Sequence, residues 1–209
     1  EVNRHTVRGR YTAGPGTAPA YLDETGVEPN STTETYVAMR FEIESWRWAG
    51  VPFYLRTGKR LPVRASEISV TFRNAPLILF QDSPMSRTAP NELAIRIQPN
   101  EGISLRFNSK VPGQAGDIRP VTMNFSYVEA FGGESPEAYE RLLLDAMIGD
   151  STLFTRSDEV ETSWGLMTPI LEGWQLQGSP IHEYVGGSWG PDASHEFIGS
   201  SGRSWRRLS

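Results

Sequence analysis

The chain contains no cysteine. That excludes disulfide frameworks, thiolate metal sites and cysteine nucleophiles at once, and gives no support to a small secreted scaffold. Lysine is nearly absent as well: of 20 basic residues only Lys59 and Lys110 are lysines, and the rest are arginines. Against 25 acidic residues the formal charge is −5, which argues against nonspecific nucleic-acid binding. No apolar run approaches the ~20 residues that cross a bilayer, so no membrane partner is expected. The opening EVNRHTVRGRYTAGPG has no apolar h-region and does not read as a signal peptide, so the cytoplasm is the expected location. It also lacks a start methionine, which suggests a piece of a longer chain.

Phosphate loops are missing too. Neither G-x-x-x-x-G-K-[ST] nor G-x-G-x-x-G stands at a strand-to-helix junction, and Gly14-Pro15-Gly16 is too proline-bound to serve. His5, His182 and His195 lie far apart in sequence, none in metal-ligand spacing, so no metal is expected and each reads as a surface histidine. His182-Glu183 and His195-Glu196 are weak acid/base pairs, because neighbours on one segment need not face each other.

What is present is aromatic and strand-rich. Six Trp, seven Tyr and nine Phe in 209 residues supply a core for one domain over 1–209. Residues 1–32 read as loop, rich in Gly, Pro, Ser and Thr. From Thr33 strict alternation begins, with Val37, Met39 and Phe41 on one face and Tyr36, Arg40 and Glu42 on the other. The same period returns around Phe53/Leu55, Ile68/Val70, Leu93/Ile95/Ile97, Ile103/Leu105 and Val121/Met123/Phe125, with QPNEG as a hairpin turn. Six amphipathic strands imply a large, mainly antiparallel sheet whose polar face, with Tyr36, Arg40, Arg96 and Arg106, would suit self-association.

Helical signals follow. Ser135-Pro136-Glu137 starts one helix that ends at Gly149; Ser157-Asp158-Glu159 starts another that runs to about Gly173 and is bent at Pro169. The last 28 or so residues read as irregular, with one short helix near 192–198. Strands first and helices later give an α+β fold, a large mainly antiparallel sheet with helices packed on one face.

The most informative segment is 46-WRWAGVPFYLRTGKRLPVRASE-67. A patch of Trp46, Trp48, Phe53 and Tyr54 runs into the cations Arg56, Lys59, Arg60 and Arg64. Thr57-Gly58 permits a tight turn that projects Lys59 from a strand end, with Arg60 pointing the opposite way. Fixed cations on a rigid strand suit an anionic, oxygen-rich ligand such as a sugar phosphate. A basic hairpin rim without a ligand fits the composition equally well.

This segment resembles the C-terminal domain of the glucose-6-phosphate dehydrogenase family nearly letter for letter. VRGRYTAG, STTETYVAMR, NELAIRIQPNEGI, SPEAYERLLLDAMIGD, LFTRSDEVETSW and GSWGP resemble that family's blocks in order. The resemblance implies oxidation of D-glucose 6-phosphate to 6-phosphogluconolactone with reduction of NADP, in the oxidative pentose phosphate pathway. It also implies that coenzyme fold and catalytic histidine precede this domain, so no catalytic residue is expected in this chain and the chain alone is expected to be inactive. Lys59 and Arg64 match substrate-binding positions. Arg56 matches one position of a structural NADP site, but Ala65, Ser69, Pro90 and Trp189 stand where that site has other residues, so no such site is expected. A homodimer or homotetramer through the sheet is implied. The alternative is a non-catalytic sugar-phosphate-binding or oligomerisation module.

Overall fold

In the computed structural model, which describes residues 1–16, 19–74, 89–113, 118–132 and 138–208, the chain opens with a short helix α1 (Val2–His5) and strand β1 (Thr6–Thr12). There follow β2 (Tyr36–Glu42), β3 (Pro52–Gly58), β4 (Ser66–Thr71), β5 (Glu92–Gln98), β6 (Gly102–Lys110) and β7 (Ile118–Ser126). Helices α2 (Tyr127–Phe131), α3 (Ala138–Ile148) and α4 (Ser157–Leu176), strand β8 (Ile181–Val185) and helix α5 (Asp192–Gly199) complete it. The fold is α+β with mainly antiparallel pairing, as the patterning implies. Two compact units form: Glu1–Pro62 with Ser151–Trp205, and Val63–Asp150 with Arg206–Ser209. The strands are shared between two four-stranded sheets, in orders β3-β2-β1-β8 and β4-β5-β6-β7, rather than gathered in one. Between β3 and β4 the chain turns through a positive φ of 53° at Arg60 and then Pro62, which has no N–H to extend a ladder.

The first unit corrects the reading of 1–32 as loop. Strand β1 is one of the two inner strands of its sheet, antiparallel to β2 and parallel to β8. Its alternation is masked in sequence by arginines that belong inside the fold. Arg8 donates to the Ser179 carbonyl at 2.8 Å and lies over the Trp174 ring, and Arg10 donates to the Ser31 carbonyl at 3.1 Å. Strand β8 likewise arises from a stretch expected to be irregular. A parallel partner 170 residues away leaves no local signature. The core is built on tyrosine: Tyr11, Tyr36, Ala38 and Tyr184 are buried, with Val7, Leu61, Phe197 and Trp205 packed against them. Tyr36 is therefore not on an outer polar face. It is 1% exposed because its hydroxyl finds Ser194 at 2.6 Å and its ring lies 5.5 Å from that of Tyr184.

Helix α4 begins where expected and continues through Pro169 to Leu176, three residues beyond the expected end. Its buried Trp174 donates from Nε1 to Thr6 Oγ1 at 2.8 Å. Helix α5 matches the short helix read near 192–198.

In the second unit QPNEG joins β5 to β6, as expected of a hairpin. Ala94 is buried, whereas Ile68, Ile97, Met123 and Phe125 are exposed, so the apolar face of this sheet is open. Part of the polar face carries an ion cluster, in which Arg206 pairs with Glu67 at 2.6 Å and with Glu92, and Arg106 reaches Glu92 at 3.4 Å, while Ser69, Thr71, Thr122 and Asn124 on that face are exposed. Helix α3 ends at Gly149, which takes φ +77°. The start expected for it at Ser135-Pro136-Glu137 lies outside the described residues.

Candidate functional site: a clamped lysine turn after β3

Strand β3 pairs antiparallel with β2 along its whole length, and the register sets Gly58 opposite Tyr36. A side chain cannot stand at 58. A Cβ there would lie 2.7 Å from Tyr36 Cδ2. The chain then leaves the sheet, and three main-chain bonds fix how it does so. Lys59 N–H donates to the Thr35 carbonyl at 2.8 Å, the Lys59 carbonyl accepts from the Tyr184 hydroxyl at 2.7 Å, and the Arg60 carbonyl accepts from Gly187 N–H at 2.7 Å. Arg60 occupies the left-handed region at φ 53°, a conformation that costs a non-glycine residue of order 1–3 kcal/mol.

The side chain of Arg60 helps hold that turn. Its guanidinium reaches Glu24 Oε1 at 3.1 Å, and the Tyr11 hydroxyl donates to the same oxygen at 2.6 Å. The hydrogen bond from Tyr11, then that from Arg60, holds the Glu24 carboxyl below its usual range. Burial, with the Glu24 bond next, pushes the Tyr11 phenol up. The expectation that Arg60 points freely to the opposite side of an extended strand therefore fails, because the backbone is not extended there.

Lys59 is left exposed at the crest of the turn, and its ammonium makes no ion pair or hydrogen bond among the described residues. Arg64 is exposed in the irregular stretch before β4 and belongs to the second unit, whereas Lys59 belongs to the first. Arg56, two residues before Gly58, has its guanidinium 5.0 Å from the Trp189 ring and 5.1 Å from the Trp205 ring. Burial lowers its pKa against the raising effect of Tyr36. Of the aromatic patch, Trp48 packs edge-on against Phe53, which stacks on Phe41 at 5.3 Å, while Trp46 is fully exposed.

The histidines are scattered: His5 ends α1, His182 lies in β8 and His195 in α5. Glu183 turns to Arg10 at 3.5 Å, so it and His182 alternate across the strand. Among the described residues no group of three His, Cys, Asp or Glu could hold a metal ion, and no helix is long and apolar enough to cross a membrane. Sequence reasoning missed Thr35, Tyr184, Gly187 and Glu24 as supports of the lysine turn. Their only signal is the alternation of Tyr184 within IHEYV, which does not name its partner.

The sequence pattern of the family described as glucose-6-phosphate dehydrogenase, C-terminal domain, matches residues 1–206, and the chain belongs to that family. It is 50% identical to glucose-6-phosphate 1-dehydrogenase of Aggregatibacter actinomycetemcomitans over 100% of this chain and 42% of that protein. Against the Treponema pallidum enzyme of the same name it is 47% identical, over 100% of this chain and 41% of that one. Among solved structures, a glucose-6-phosphate dehydrogenase in complex with its substrate glucose-6-phosphate superposes with a TM-score of 0.85 at 36% identity, covering 99% of this chain and 42% of the other. The Mycobacterium avium enzyme gives 0.80 at 36% identity, over 99% of this chain and 41% of that one. The chain thus spans about two fifths of the length of the relatives it matches.

Proposed function

We propose that the chain is the C-terminal part of a glucose-6-phosphate dehydrogenase, working as a substrate-binding and oligomerisation domain over residues 1–209. The reaction is oxidation of glucose 6-phosphate at C1 to the lactone, in the cytoplasm, as the entry to the oxidative pentose phosphate route. NADP, bound by a preceding segment, supplies the hydride acceptor. Within this chain the work is binding and orientation. The Lys59 ammonium, exposed and unpaired among described residues, meets the sugar phosphate as a charge-assisted donor. Arg64 adds a guanidinium whose planar fork suits phosphate oxygens. Neither residue moves the C1 proton; that task falls to the preceding histidine.

The observation that carries this reading is the Lys59 turn. A cation whose main chain is bonded on both sides, yet whose ammonium is left open, is built to meet an anion from outside. Arg56 does not fit that pattern. Its guanidinium lies close to two indoles, those of Trp189 and Trp205, which supports a packing role rather than a second NADP site.

The test is to read the coding frame upstream of Glu1 and assay the complete product. An in-frame segment with a glycine-rich coenzyme loop and a catalytic histidine, and NADPH formation from glucose 6-phosphate, are expected. A stop codon immediately upstream, with a product that binds glucose 6-phosphate but reduces no NADP, would support a non-catalytic module instead.

A further inference from the structure

Tyr184 sits 4% exposed in the middle of the first unit, far in sequence from the lysine turn it touches. Its hydroxyl has one proton and two carbonyls within reach, Lys59 O at 2.7 Å and Thr35 O at 3.2 Å. The shorter contact takes the proton. The Tyr184 oxygen then has room to accept, and Thr35 Oγ1 lies 3.1 Å away. Thr35 Oγ1 in turn accepts from Tyr11 N–H at 3.1 Å, so its own proton is free for Tyr184. The direction of the whole chain follows from counting donors: Tyr11 N–H to Thr35 hydroxyl, Thr35 hydroxyl to Tyr184 hydroxyl, Tyr184 hydroxyl to the Lys59 carbonyl. Bonds aligned head to tail in a buried setting reinforce one another. Burial pushes the Tyr184 phenol up, which keeps it a donor across the range in which proteins fold.

The placement of this relay matters. It starts on β1, one of the two inner strands of the sheet, and ends on the peptide that carries Lys59. The same peptide unit's neighbours are held by Thr35 O and Gly187 N–H. The Lys59 Cα is thus fixed relative to the sheet while four methylenes and the ammonium stay loose. Affinity for a fixed anion depends on where that root stands, since a displaced root spends binding energy on bringing the ammonium back.

We propose that Tyr184, with Thr35 behind it, is a positioning residue that sets the root of Lys59 for the phosphorylated substrate; this rests on the reading of Lys59 as a substrate ligand. It touches neither sugar nor coenzyme, and its effect passes through the Lys59 carbonyl. Loss of its hydroxyl therefore weakens substrate binding without changing the chemical step or the coenzyme.

The experiment is a double-mutant cycle in the full-length enzyme: Tyr184→Phe, Lys59→Ala and the pair, with KM for glucose 6-phosphate, KM for NADP, kcat and the melting temperature. Tyr184→Phe is expected to raise KM for glucose 6-phosphate about 3- to 10-fold, leaving kcat and the NADP KM within twofold. In the Lys59→Ala background the same change is expected to have no further effect on KM. Thr35→Val, which breaks the relay one step earlier, should reproduce the pattern more weakly, and Thr35→Ser should restore it; these serve if Tyr184→Phe does not fold. Multiplying KM effects in the double mutant, or a melting-temperature loss with KM unchanged, would overturn the positioning role alone. A Lys59→Ala enzyme with wild-type KM would overturn the ligand reading itself, and with it the basis of the proposal.

Discussion

The hydroxyl of Tyr36 lies 2.6 Å from that of Ser194, and both residues are buried, the first in β2 and the second in α5. Trp205 Nε1 donates to the Ser194 carbonyl and hydroxyl, each at 3.0 Å. One serine thus ties a strand, a helix and the chain's last indole together. Tyr36 also interacts with Arg56, but a guanidinium only donates, so removal of the Ser194 hydroxyl takes from the buried Tyr36 O–H the acceptor at 2.6 Å that Arg56 cannot replace. Ser194→Ala is expected to cost about 1–3 kcal/mol, the cost of leaving a buried donor unsatisfied. Urea midpoints at unchanged slope would measure it. A loss above about 3 kcal/mol would mean that Ser194 carries more than this bond.

Glycine at 190 presents a harder constraint on the same ring. A Cβ there would stand 2.5 Å from Tyr36 Cε2, and the residue takes φ +102°, a region that side chains rarely enter. Backbone strain and overpacking then add, and Gly190→Ala is expected to cost roughly 2–4 kcal/mol. It should exceed Ser194→Ala in the same urea titration. Equal losses would contradict the close approach of Gly190 to the ring.

Glu24 makes the lysine turn sensitive to acid. Its folded pKa is depressed below the ordinary 4.5, by the Tyr11 hydrogen bond first and Arg60 second. A depressed carboxyl contributes stability that is fully present above the unfolded value and is lost as pH falls through the lower folded one. Wild type should therefore lose an increment of melting temperature below about pH 4.5 that Glu24→Gln lacks. Melts of both proteins from pH 7 down to 3 decide it; parallel curves throughout would count against the Glu24–Arg60 pair.

The strands were legible wherever apolar residues alternate within one segment, as in β5, β6 and β7, and the turn at QPNEG followed from its residues. What stayed hidden depends on partners distant in sequence. Strand β1 reads as loop because Arg8 and Arg10 are satisfied by Ser179 and Ser31, far along the chain. Tyr36 reads as surface because alternation alone counts a tyrosine as polar, whereas Ser194 makes it a core residue. Lys59 was legible as a projecting cation, since Gly58 precedes it. The supports of that cation were not, because Tyr184 and Gly187 reach it only through a parallel strand pairing.

The second unit predicts its own association. Its open sheet face carries Ile68, Ile97, Ile103, Met123 and Phe125, all exposed in the single chain. Burial of such a face against a second copy removes apolar surface worth about 25 cal/mol per Å² before association costs are met. Light scattering of the full-length protein is expected to give a dimer or a multiple of it. Met123→Asp, which places a charge at the most exposed of these positions, should shift the mass toward the monomer. An unchanged mass would show that this face is not the contact.

Lys59 and Arg64 give the most direct reading of the site. Each is exposed and outside the core, so alanine there should leave the melting temperature within about 1–2 °C, as surface changes do. A charge-assisted bond to the substrate is worth roughly 1.5–3 kcal/mol. At 1.36 kcal/mol per decade, Lys59→Ala and Arg64→Ala should each lower kcat/KM for glucose 6-phosphate about 10- to 150-fold. Lys59 should be the costlier loss, because its root is held by three main-chain bonds and no neighbouring lysine can take its place. Arg60 cannot serve as the silent control, since it secures the turn through Glu24. Arg47, exposed ahead of β3, can. The assays should be repeated with unphosphorylated glucose, for which the lysine penalty should shrink toward unity if the ammonium meets the phosphate. A penalty equal for both sugars would place Lys59 against the ring hydroxyls instead, and a loss at Arg47→Ala as large as at Lys59→Ala would remove the assignment altogether.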